Sequence, residues 1–554
     1  MSTEMISIFE ERAENLSEAE LLDWTVLSDA ERQIVKKLTG PGAKLVSGPR
    51  GSGKSTLLKI AFFELLKSRA ALPVYVNFSR ALALEPLFHT NANATRLFRQ
   101  WVLAKIVAGV REASDRWLVQ LAPSTAEIEA GARKYVQDLE SGKYADLDWS
   151  SSPSAVADLI RSVAAQCHVA RTVLLLDDAA HAFSVQQQRE FFEVFRELRS
   201  REISAKAAIY PGVTSFSPNF QVGHEAEEIQ AWIRADAPNY LEIMRQIAER
   251  RFAKLRHTLG AAYDESVEVL AMASFGLPRG FVNMVSELVD SVELGGAVRK
   301  AADDAISSNS ESILVQFTNI SDKLARFSNY IRLGVELEAQ TKVAFRQFNR
   351  DKPIESKTAT VGLAEPWDPQ LDRVLRFMEY AGLLRRIEDL SKGVKGNYQR
   401  YVLHYSRVIA ANALFLGKAY KLSAVTSALK QPLAHALVKT KPETLLGKSY
   451  AASCTLSLPP CPTCGTGRVN EQQKFCMNCG QELRSASVYL ELLKAPVDKL
   501  SLPAKKIESL KKSGLLTVGQ LLSDENNRFR KPGSGIGPVW TRRILNVAEE
   551  FVSV

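Results

Sequence analysis

Residues 48–56 read GPRGSGKST, a glycine-rich run that ends in lysine, serine and threonine. The glycines let backbone N–H groups converge on an anion, and a helix that begins near Lys54 adds the positive end of its dipole. In such a loop the lysine reaches the β- and γ-phosphates of ATP, and the next residue, Ser55, binds Mg²⁺. A chance glycine loop is the alternative. The predicted nucleotide-binding residues of the loop are Gly48, Pro49, Arg50, Gly51, Ser52, Gly53, Lys54, Ser55 and Thr56.

Two adjacent carboxylates follow an apolar run in RTVLLLDDAAHAF, residues 171–183. Val173–Leu176 is typical of a buried strand of a parallel sheet, and Asp177 at its end is predicted to bind Mg²⁺ through water. Asp178 is predicted to orient or deprotonate the attacking water, which makes Lys54, Asp177 and Asp178 the predicted catalytic set. A helix N-cap is the alternative for the aspartates. Hydrolysis is expected to be slow because Asp is a short base, and His181 either faces the phosphates or packs.

Two further segments carry candidate sensors of the phosphates. The run KAAIYPGVTSF is expected to form a strand over residues 206–216. Thr214 near its end is the predicted sensor, and a turn residue after Pro211 is the alternative. In FGLPRGFVNMVSELV a helix is expected to open at Pro278 and Arg279. A cation there opposes the helix dipole unless it reaches an anion, so both residues join the predicted nucleotide site; a solvated arginine is the alternative.

Four cysteines form two Cys-x-x-Cys pairs separated by eleven residues, and a glycine follows each pair. Four thiolates at this spacing predict a closed tetrahedral Zn²⁺ site of structural type. Two unrelated redox pairs are the alternative. The predicted zinc ligands are Cys461, Cys464, Cys476 and Cys479, and Cys167 and Cys454 are expected to be buried spares.

The last 55 residues predict a helix, a tight turn at residues 513–514, a second helix, and a glycine turn that opens a final helix. This pattern resembles a helix–hairpin–helix unit and the C-terminal domain of the RNA polymerase α subunit. The resemblance implies glycine N–H groups and basic side chains on a DNA backbone, with little sequence preference. A small protein–protein module is the alternative. The predicted DNA contacts are Lys531, Gly535, Gly537, Arg542 and Arg543.

The N-terminal motifs together resemble the AAA+/STAND branch of P-loop ATPases, including origin-recognition and NB-ARC-like ATPases. GPRGSGKST resembles the Walker A motif, VLLLDDAAH the Walker B motif and GLPRG the sensor element that opens a helical lid. Residues 371–414 resemble the winged helix that follows the lid in this family: two helices, then a β-wing. Some members hold ADP with a histidine at such a wing strand, where His404 lies. An arginine finger cannot be assigned.

The resemblance implies an α/β P-loop NTPase core, a parallel sheet with helices on both faces, followed by smaller domains. These are an all-α lid, a winged helix, a zinc ribbon and a small all-α C-terminal domain. The expected divisions are an N-terminal helical segment 1–30, core 31–235, lid 236–305, winged-helix-like domain 306–430, linker 431–455, zinc ribbon 456–485 and helix–hairpin–helix domain 495–554.

Composition restricts the function classes. The 554 residues are 46% hydrophobic and 24% charged, which is ordinary for a soluble globular protein. No apolar run reaches the roughly 18–20 residues of a membrane span, and the acidic N-terminus lacks a signal-peptide core. We therefore expect a cytoplasmic protein with no membrane partner. The net charge is +9, and the basic C-terminal end is the candidate for touching a polyanion.

These features favour an ATPase (ATP + H₂O to ADP + phosphate) that acts as a switch and couples nucleotide state to DNA binding. Phage defence and mobile-element or replication complexes both fit this role. The alternative is a STAND-like signalling scaffold that oligomerises with ATP and recruits a protein effector through its C-terminal modules. A small-molecule kinase is disfavoured because the sequence shows no recognisable binding site for a phosphoryl acceptor.

Overall fold

We describe the protein from a computed structural model of its 554 residues. The described residues are 13–78, 84, 86–87, 93–143, 147, 149–178, 185–391, 397–417, 420–430, 437–469, 473, 475–483, 487–524, 528–530 and 536–552. The predicted positions His181, Lys531 and Gly535 lie outside them. Within the described ranges, no helix is long and apolar enough to cross a membrane.

A five-stranded parallel sheet forms the centre of the N-terminal half of the chain. Its strands are β1 (Lys44–Ser47), β2 (Leu72–Asn77), β3 (Thr172–Asp177), β4 (Ile203–Ile209) and β5 (Glu227–Gln230). The strand order is β2-β3-β4-β1-β5, so β4 pairs with both β1 and β3. The carboxyl ends of parallel strands share one edge of the sheet, where ligands bind in open α/β sheets. The sheet and the glycine-rich loop after β1 confirm the predicted α/β P-loop NTPase core.

Helices cover both faces of this sheet. On β3, Val173 and Leu175 pack against one set of helices, whereas Leu174 and Leu176 pack against the other. Burial on both faces explains why this strand reads as a continuous apolar run rather than an alternating one. The helices of this region are α1 (Glu18–Trp24), α2 (Asp29–Thr39), α3 (Lys54–Ser68), α4 (Ala94–Arg116), α5 (Pro123–Glu140), α6 (Pro153–Gln166) and α7 (Val185–Leu198).

The strand expected over residues 206–216 is wrong in its second half. Strand β4 ends at Ile209, and the chain then turns through Pro211 and Gly212. Proline has no N–H to donate to a neighbouring strand, and Gly212 has a φ of +78°, so neither residue continues the ladder. The N–H of Thr214 closes the turn on the Tyr210 carbonyl at 3.3 Å.

A helical lid follows the sheet. Its entry is tight at Gly276, where φ is +76° and a Cβ would lie 2.0 Å from the Ile233 carbonyl oxygen, so no larger residue fits there. The last long helix continues past residue 305, so the predicted domain boundary falls inside a helix. The helices are α8 (Tyr240–Arg251), α9 (Leu255–Leu259), α10 (Tyr263–Ala273), α11 (Pro278–Glu293), α12 (Val298–Thr318) and α13 (Ile320–Lys323).

A second, four-stranded sheet lies in the winged-helix-like region. Its strand order is β7-β8-β6-β9, with β7 and β8 antiparallel and β9 parallel to β6. The elements are α14 (Ser328–Asn349), β6 (Thr360–Ala364), α15 (Gln370–Tyr380), β7 (Leu384–Ser391), β8 (Asn397–Leu403), α16 (Tyr405–Ala410), α17 (Leu422–Leu429), β9 (Val438–Thr440) and α18 (Pro442–Leu446).

The predicted pair of helices before the wing is wrong, because the second helix is strand β7. Helix α15 ends at a glycine turn in which Gly382 has a φ of +70° and Leu383 donates to the Met378 carbonyl at 2.9 Å. The chain then pairs with β8, with Leu384 opposite Leu403. An irregularity between Ile387 and Leu390 shifts the register, so the apolar spacing looks helical in sequence.

The C-terminal part contains the cysteine segment and a small helical unit. The helices of this unit are α19 (Val488–Lys494), α20 (Ala504–Lys512), α21 (Val518–Leu522) and α22 (Pro538–Val552). Gly514 has a φ of +79° at the turn after α20, and Thr517 and Gln520 form a capping box at the start of α21. This order of helix, tight turn, helix and final helix matches the pattern read from the sequence.

Candidate nucleotide site and cysteine cluster

The glycine-rich loop connects β1 to α3 in a conformation that requires glycine. Gly51 and Gly53 have φ values of +75° and +91°. At Gly48 a Cβ would lie 2.6 Å from the Ser52 hydroxyl oxygen and 2.7 Å from the Ala231 carbonyl oxygen, so the loop is closely wrapped. The Ser52 hydroxyl is buried and has no hydrogen-bond partner in the described structure. A wrapped loop with an unsatisfied hydroxyl at a helix N-terminus fits a phosphate group.

Lys54 is folded back into its own loop. Its Nζ donates to the carbonyl oxygens of Gly48 and Pro49, at 2.8 and 2.9 Å, and lies 3.8 Å from the ring centroid of Tyr210. Only 5% of this lysine is exposed, and burial lowers its pKa to about 7 despite the nearby carboxylates. The ammonium group is therefore placed among phosphate-binding groups, in an environment that favours the charged form only weakly.

The two predicted catalytic carboxylates have different surroundings. Asp177 is fully buried at the end of β3 and accepts hydrogen bonds from the Tyr75 hydroxyl at 2.7 Å and the Asp178 N–H at 3.0 Å. Asp178 is half-buried and has a φ of +54°. A fixed, fully buried Asp177 suits an indirect contact to Mg²⁺ through water, and Ser55 lies on the first turn of α3. The first helix described beyond Asp178 begins at Val185.

Tyr210, the residue that follows β4, was missed by sequence reasoning. Its hydroxyl donates to Asp178 Oδ1 at 3.2 Å while its ring covers Lys54. Burial raises the pKa of Tyr210 well above its usual value, so the hydroxyl keeps the proton that it donates. The strand order could have identified Tyr210. The loop follows β1 and the aspartates lie at the end of β3, so the residue after a strand between these two must lie between the loop and the aspartates. Thr214, the predicted sensor, instead donates to the Tyr210 carbonyl at 2.8 Å and accepts from its N–H at 3.0 Å.

Arg279, the candidate phosphate sensor, lies in the first turn of α11 and beside the glycine-rich loop. The Arg279 Cβ is 3.2 Å from the position that a Cβ at residue 51 would occupy, so the two residues are in close contact. Its Nη1 donates to Glu550 Oε1 at 2.8 Å, and the same carboxylate oxygen accepts from Arg50 Nη1 at 3.1 Å. The role of Pro278 is to open α11 at its first position, where a missing N–H costs nothing. Glu550, 500 residues from Arg50, was not anticipated.

His404, the candidate ADP contact of the wing strand, lies in the packed interior next to Phe275. Its ring is fully buried, with its centroid 5.2 Å from that of Phe275, and its Nδ1 accepts the Ser406 N–H at 3.2 Å. Burial lowers its pKa to about 3, so it is neutral. The ADP contact implied by the resemblance stays a prediction, because the buried Nε2 of His404 has no hydrogen-bond partner in the described structure.

The four cysteines Cys461, Cys464, Cys476 and Cys479 form one cluster, with their Sγ atoms within 4.8 Å of one another. The Cys461–Cys479 and Cys464–Cys476 Sγ distances are 3.6 and 3.5 Å. A tetrahedral ion with bonds of about 2.3 Å requires sulfur atoms about 3.8 Å apart, so the cluster is the right size for zinc.

The two Cys-x-x-Cys turns of this cluster are built alike. The carbonyl oxygen of the first cysteine in each pair accepts a hydrogen bond from the N–H of the glycine four residues later, at 2.9 Å for Gly465 and 3.0 Å for Gly480. These glycines have φ values of +71° and +70°. Two matching turns that aim thiols at one point fit a single shared metal ion rather than two separate redox pairs.

The described DNA-contact candidates lie on or beside α22. The Gly537 carbonyl accepts from the Thr541 N–H at 2.9 Å, and Arg542 is exposed. Arg543 donates to Glu287 of the lid at 3.2 Å, and its guanidinium carbon lies 4.8 Å from the ring centroid of Trp540. Arg542 is thus open to solvent, whereas Arg543 is held against α11.

Comparisons with known proteins give weak likenesses. No family model matches the chain, and no curated protein matches it. Among solved structures, a Walker-type ATPase of Pyrococcus abyssi is similar, with 13% identity and a TM-score of 0.42, over 74% of this chain and 99% of that one. Cdc6p of Pyrobaculum aerophilum has 12% identity and a TM-score of 0.28, over 76% of this chain and 97% of that one. The fold class stated above depends on the sheet and the loop of this chain.

Proposed function

We propose that the chain binds ATP, hydrolyses it slowly to ADP and phosphate, and couples its nucleotide state to DNA binding. One observation carries the first part. The glycine-rich loop with Lys54 and the carboxylates Asp177 and Asp178 at the end of β3 stand at one edge of the sheet, on either side of β4, which ends just before Tyr210. A phosphate grip, a Mg²⁺-directed carboxylate and a second carboxylate for water are the parts that ATP hydrolysis needs.

In this mechanism the oxygen of a water molecule bonds to the γ-phosphorus while the bond to the β,γ-bridging oxygen breaks. Lys54 and the loop N–H groups hold the phosphates, and Asp178 accepts the hydrogen bond or the proton of the water. Mg²⁺ bound by Ser55 and, through water, by Asp177 would neutralise charge on the leaving ADP. Tyr210 already occupies one oxygen of Asp178, which weakens it as a base and favours slow turnover.

Substitution of Asp178 tests this chemistry. We expect Asp178→Asn to keep ATP affinity close to the parent's while phosphate release falls by about 100-fold, because general base catalysis contributes about 10²–10⁴-fold. Asp158→Asn, an exposed aspartate on α6, is the matched control. Unchanged turnover in Asp178→Asn would remove Asp178 from the mechanism and leave it a positioning role.

DNA binding is proposed for the C-terminal unit, in phage defence or a replication-type complex. Exposed cations support it: Lys505, Lys511 and Lys512 on α20 and Arg542 on α22. We expect Arg542→Ala to weaken duplex binding and to lower its salt slope by about 1, whereas exposed Arg332→Ala on α14 leaves both unchanged. Absence of duplex binding by the full chain even at low salt would exclude the DNA role.

A second candidate function is a signalling scaffold that oligomerises with ATP and recruits a protein effector. Exposed apolar side chains on the cysteine segment favour it, since Val469, Phe475 and Met477 are 70%, 59% and 76% exposed. Apolar groups in solvent on a rigid turn suit a protein partner more than a phosphate backbone. ATP-dependent assembly, measured by light scattering without DNA, would support this alternative.

A further inference from the structure

Glu550, in the last turn of α22, joins two arginines that belong to the nucleotide site. Its Oε1 accepts from Arg279 Nη1 at 2.8 Å and from Arg50 Nη1 at 3.1 Å. Arg50 is part of the glycine-rich loop, and Arg279 stands against Gly51 of the same loop. We call Glu550 with these two arginines the carboxylate bridge. One negative oxygen thus holds two cations at the place where the phosphates of a nucleotide would bring several negative charges.

The carboxylate bridge is one of several contacts that dock the C-terminal unit on the lid. Arg543 of α22 pairs with Glu287 of α11 at 3.2 Å. Lys499 pairs with Asp322 of α13 at 3.0 Å, and its carbonyl oxygen accepts from Asn319 at 2.9 Å. These contacts place the final helix along the lid while its last turn reaches the loop.

A cavity of about 90 Å³ lies under this docked helix. Its lining includes three arginines, one lysine and one carboxylate: Arg50, Arg279, Arg543, Lys323 and Glu550. Glu550 therefore contributes the negative charge in a strongly basic space. Any anion that enters from the loop side meets the same two arginines that Glu550 holds.

We propose that Glu550 is an internal competitor of the nucleotide phosphates for Arg50 and Arg279, so that ATP binding breaks the carboxylate bridge and releases helix α22 from the lid. This inference rests on the proposed function, because it requires that the loop binds a nucleotide. Phosphate oxygens accept charge-assisted hydrogen bonds from arginine as the Glu550 oxygen does and carry more charge, so the two occupants exclude each other.

Release has a consequence for the proposed DNA contacts. In the docked arrangement Arg543 is paired with Glu287, so that guanidinium is not available to a DNA phosphate. Displacement of α22 frees it together with the neighbouring basic surface. By linkage, the factor by which ATP strengthens DNA binding must equal the factor by which DNA strengthens ATP binding.

Hydrogen exchange on the full chain tests the proposal. The probes are a non-hydrolysable ATP analogue with Mg²⁺ and Mg²⁺ alone, and the readout is the exchange of amides 538–552. In the parent, we expect the analogue to raise this exchange about tenfold, which corresponds to about 1.4 kcal/mol of lost docking. Glu550→Gln should show the raised exchange without nucleotide and bind the analogue several-fold more tightly. Glu549→Gln, on the exposed neighbour, should match the parent.

The outcomes separate this proposal from the proposed function. If the parent binds the analogue and Glu550→Gln does not change the exchange of amides 538–552, the carboxylate bridge does not hold the helix. If bound analogue leaves this exchange unchanged in the parent, competition is excluded while ATP binding stands. If the parent binds no nucleotide, both the proposed function and this inference fail. Glu550→Asp, which keeps the charge but shortens its reach, replaces Glu550→Gln if the latter unfolds.

Discussion

All four thiols of the cysteine cluster come from one stretch, residues 461–479, whereas the side chains around the glycine-rich loop come from distant parts of the chain. Each cysteine turn closes on itself through two backbone N–H to carbonyl bonds and one glycine. The loop is completed by Tyr210 after β4, Arg279 at the start of α11 and Glu550 near the end of α22. The geometry of a local site is set by one stretch of chain, whereas the geometry of a distributed site depends on how the domains are arranged.

The largest effect is expected from the cysteine cluster. Cys461→Ser should abolish bound zinc, because a closed structural site needs all four thiolates. ATP affinity should be unchanged, since the cluster contributes nothing to the nucleotide site. Metal analysis measures the bound zinc, and ATP titration measures the affinity for nucleotide. Cys454 is a buried cysteine outside the cluster, so Cys454→Ser is the control and this variant should keep the metal bound by the cluster. Loss of ATP binding in Cys461→Ser would show that the cluster is not a local site.

Removal of the loop lysine should weaken the nucleotide site and leave the cysteine cluster intact. Lys54→Ala is expected to weaken ATP binding by about 100-fold or more, since each charge-assisted hydrogen bond contributes about 1.5–3 kcal/mol. Bound zinc should be unaffected. Lys67→Ala, an exposed lysine in the last turn of the same helix, is the matched control. Parent-like ATP hydrolysis by Lys54→Ala would contradict the whole site assignment.

ATP affinity should also depend on pH through this lysine. Burial lowers the pKa of Lys54 to about 7, and bound phosphates should raise it because they favour the ammonium form. Affinity is therefore expected to be constant below pH 7 and to fall by up to about tenfold per pH unit above it. Calorimetry in buffers of different ionisation enthalpy measures the proton uptake. A flat profile from pH 6.5 to 8.5 would show that the free lysine keeps an ordinary pKa.

The smallest effect is expected at the residue that the sequence did not single out. Tyr210→Phe removes the hydroxyl that donates to Asp178 at 3.2 Å but keeps the ring over Lys54. We expect the rate of ATP hydrolysis to rise by about threefold to tenfold, because Asp178 becomes a stronger base without this one long hydrogen bond, and ATP affinity should change little. Tyr75→Phe, which removes the hydrogen bond to Asp177 instead, is the comparison variant. A rate equal to the parent's would reduce Tyr210 to a packing role.

The sequence predicts those features whose geometry is set within a few residues. The loop around Lys54, the strand before Asp177 and the cysteine turns each carry their own glycines, apolar runs or spacing. Strand β7 was misread as a helix because the register shift between Ile387 and Leu390 gives its apolar residues a helical spacing. Its partner strand, which decides the matter, is a tertiary contact.

Contacts between domains left no signal in the sequence. Glu550 sits in a helix whose acidic end looks like ordinary solvated surface, and its arginine partners are 271 and 500 residues away. The position of Tyr210 beside the loop follows only from the place of β4 between β1 and β3 in the sheet. Sequence patterns are local, whereas this site is closed by segments that the fold brings together.

The close approach at Gly212 has a practical consequence. A Cβ there would lie 2.7 Å from backbone atoms of Arg376 on α15, at a φ of +78° that other residues rarely adopt. A single methyl group would thus push the sheet domain and the winged-helix-like region apart without changing the charge at that position. Gly212→Ala offers a way to hold the two bodies apart and to trap an open form for crystallisation or cryo-microscopy.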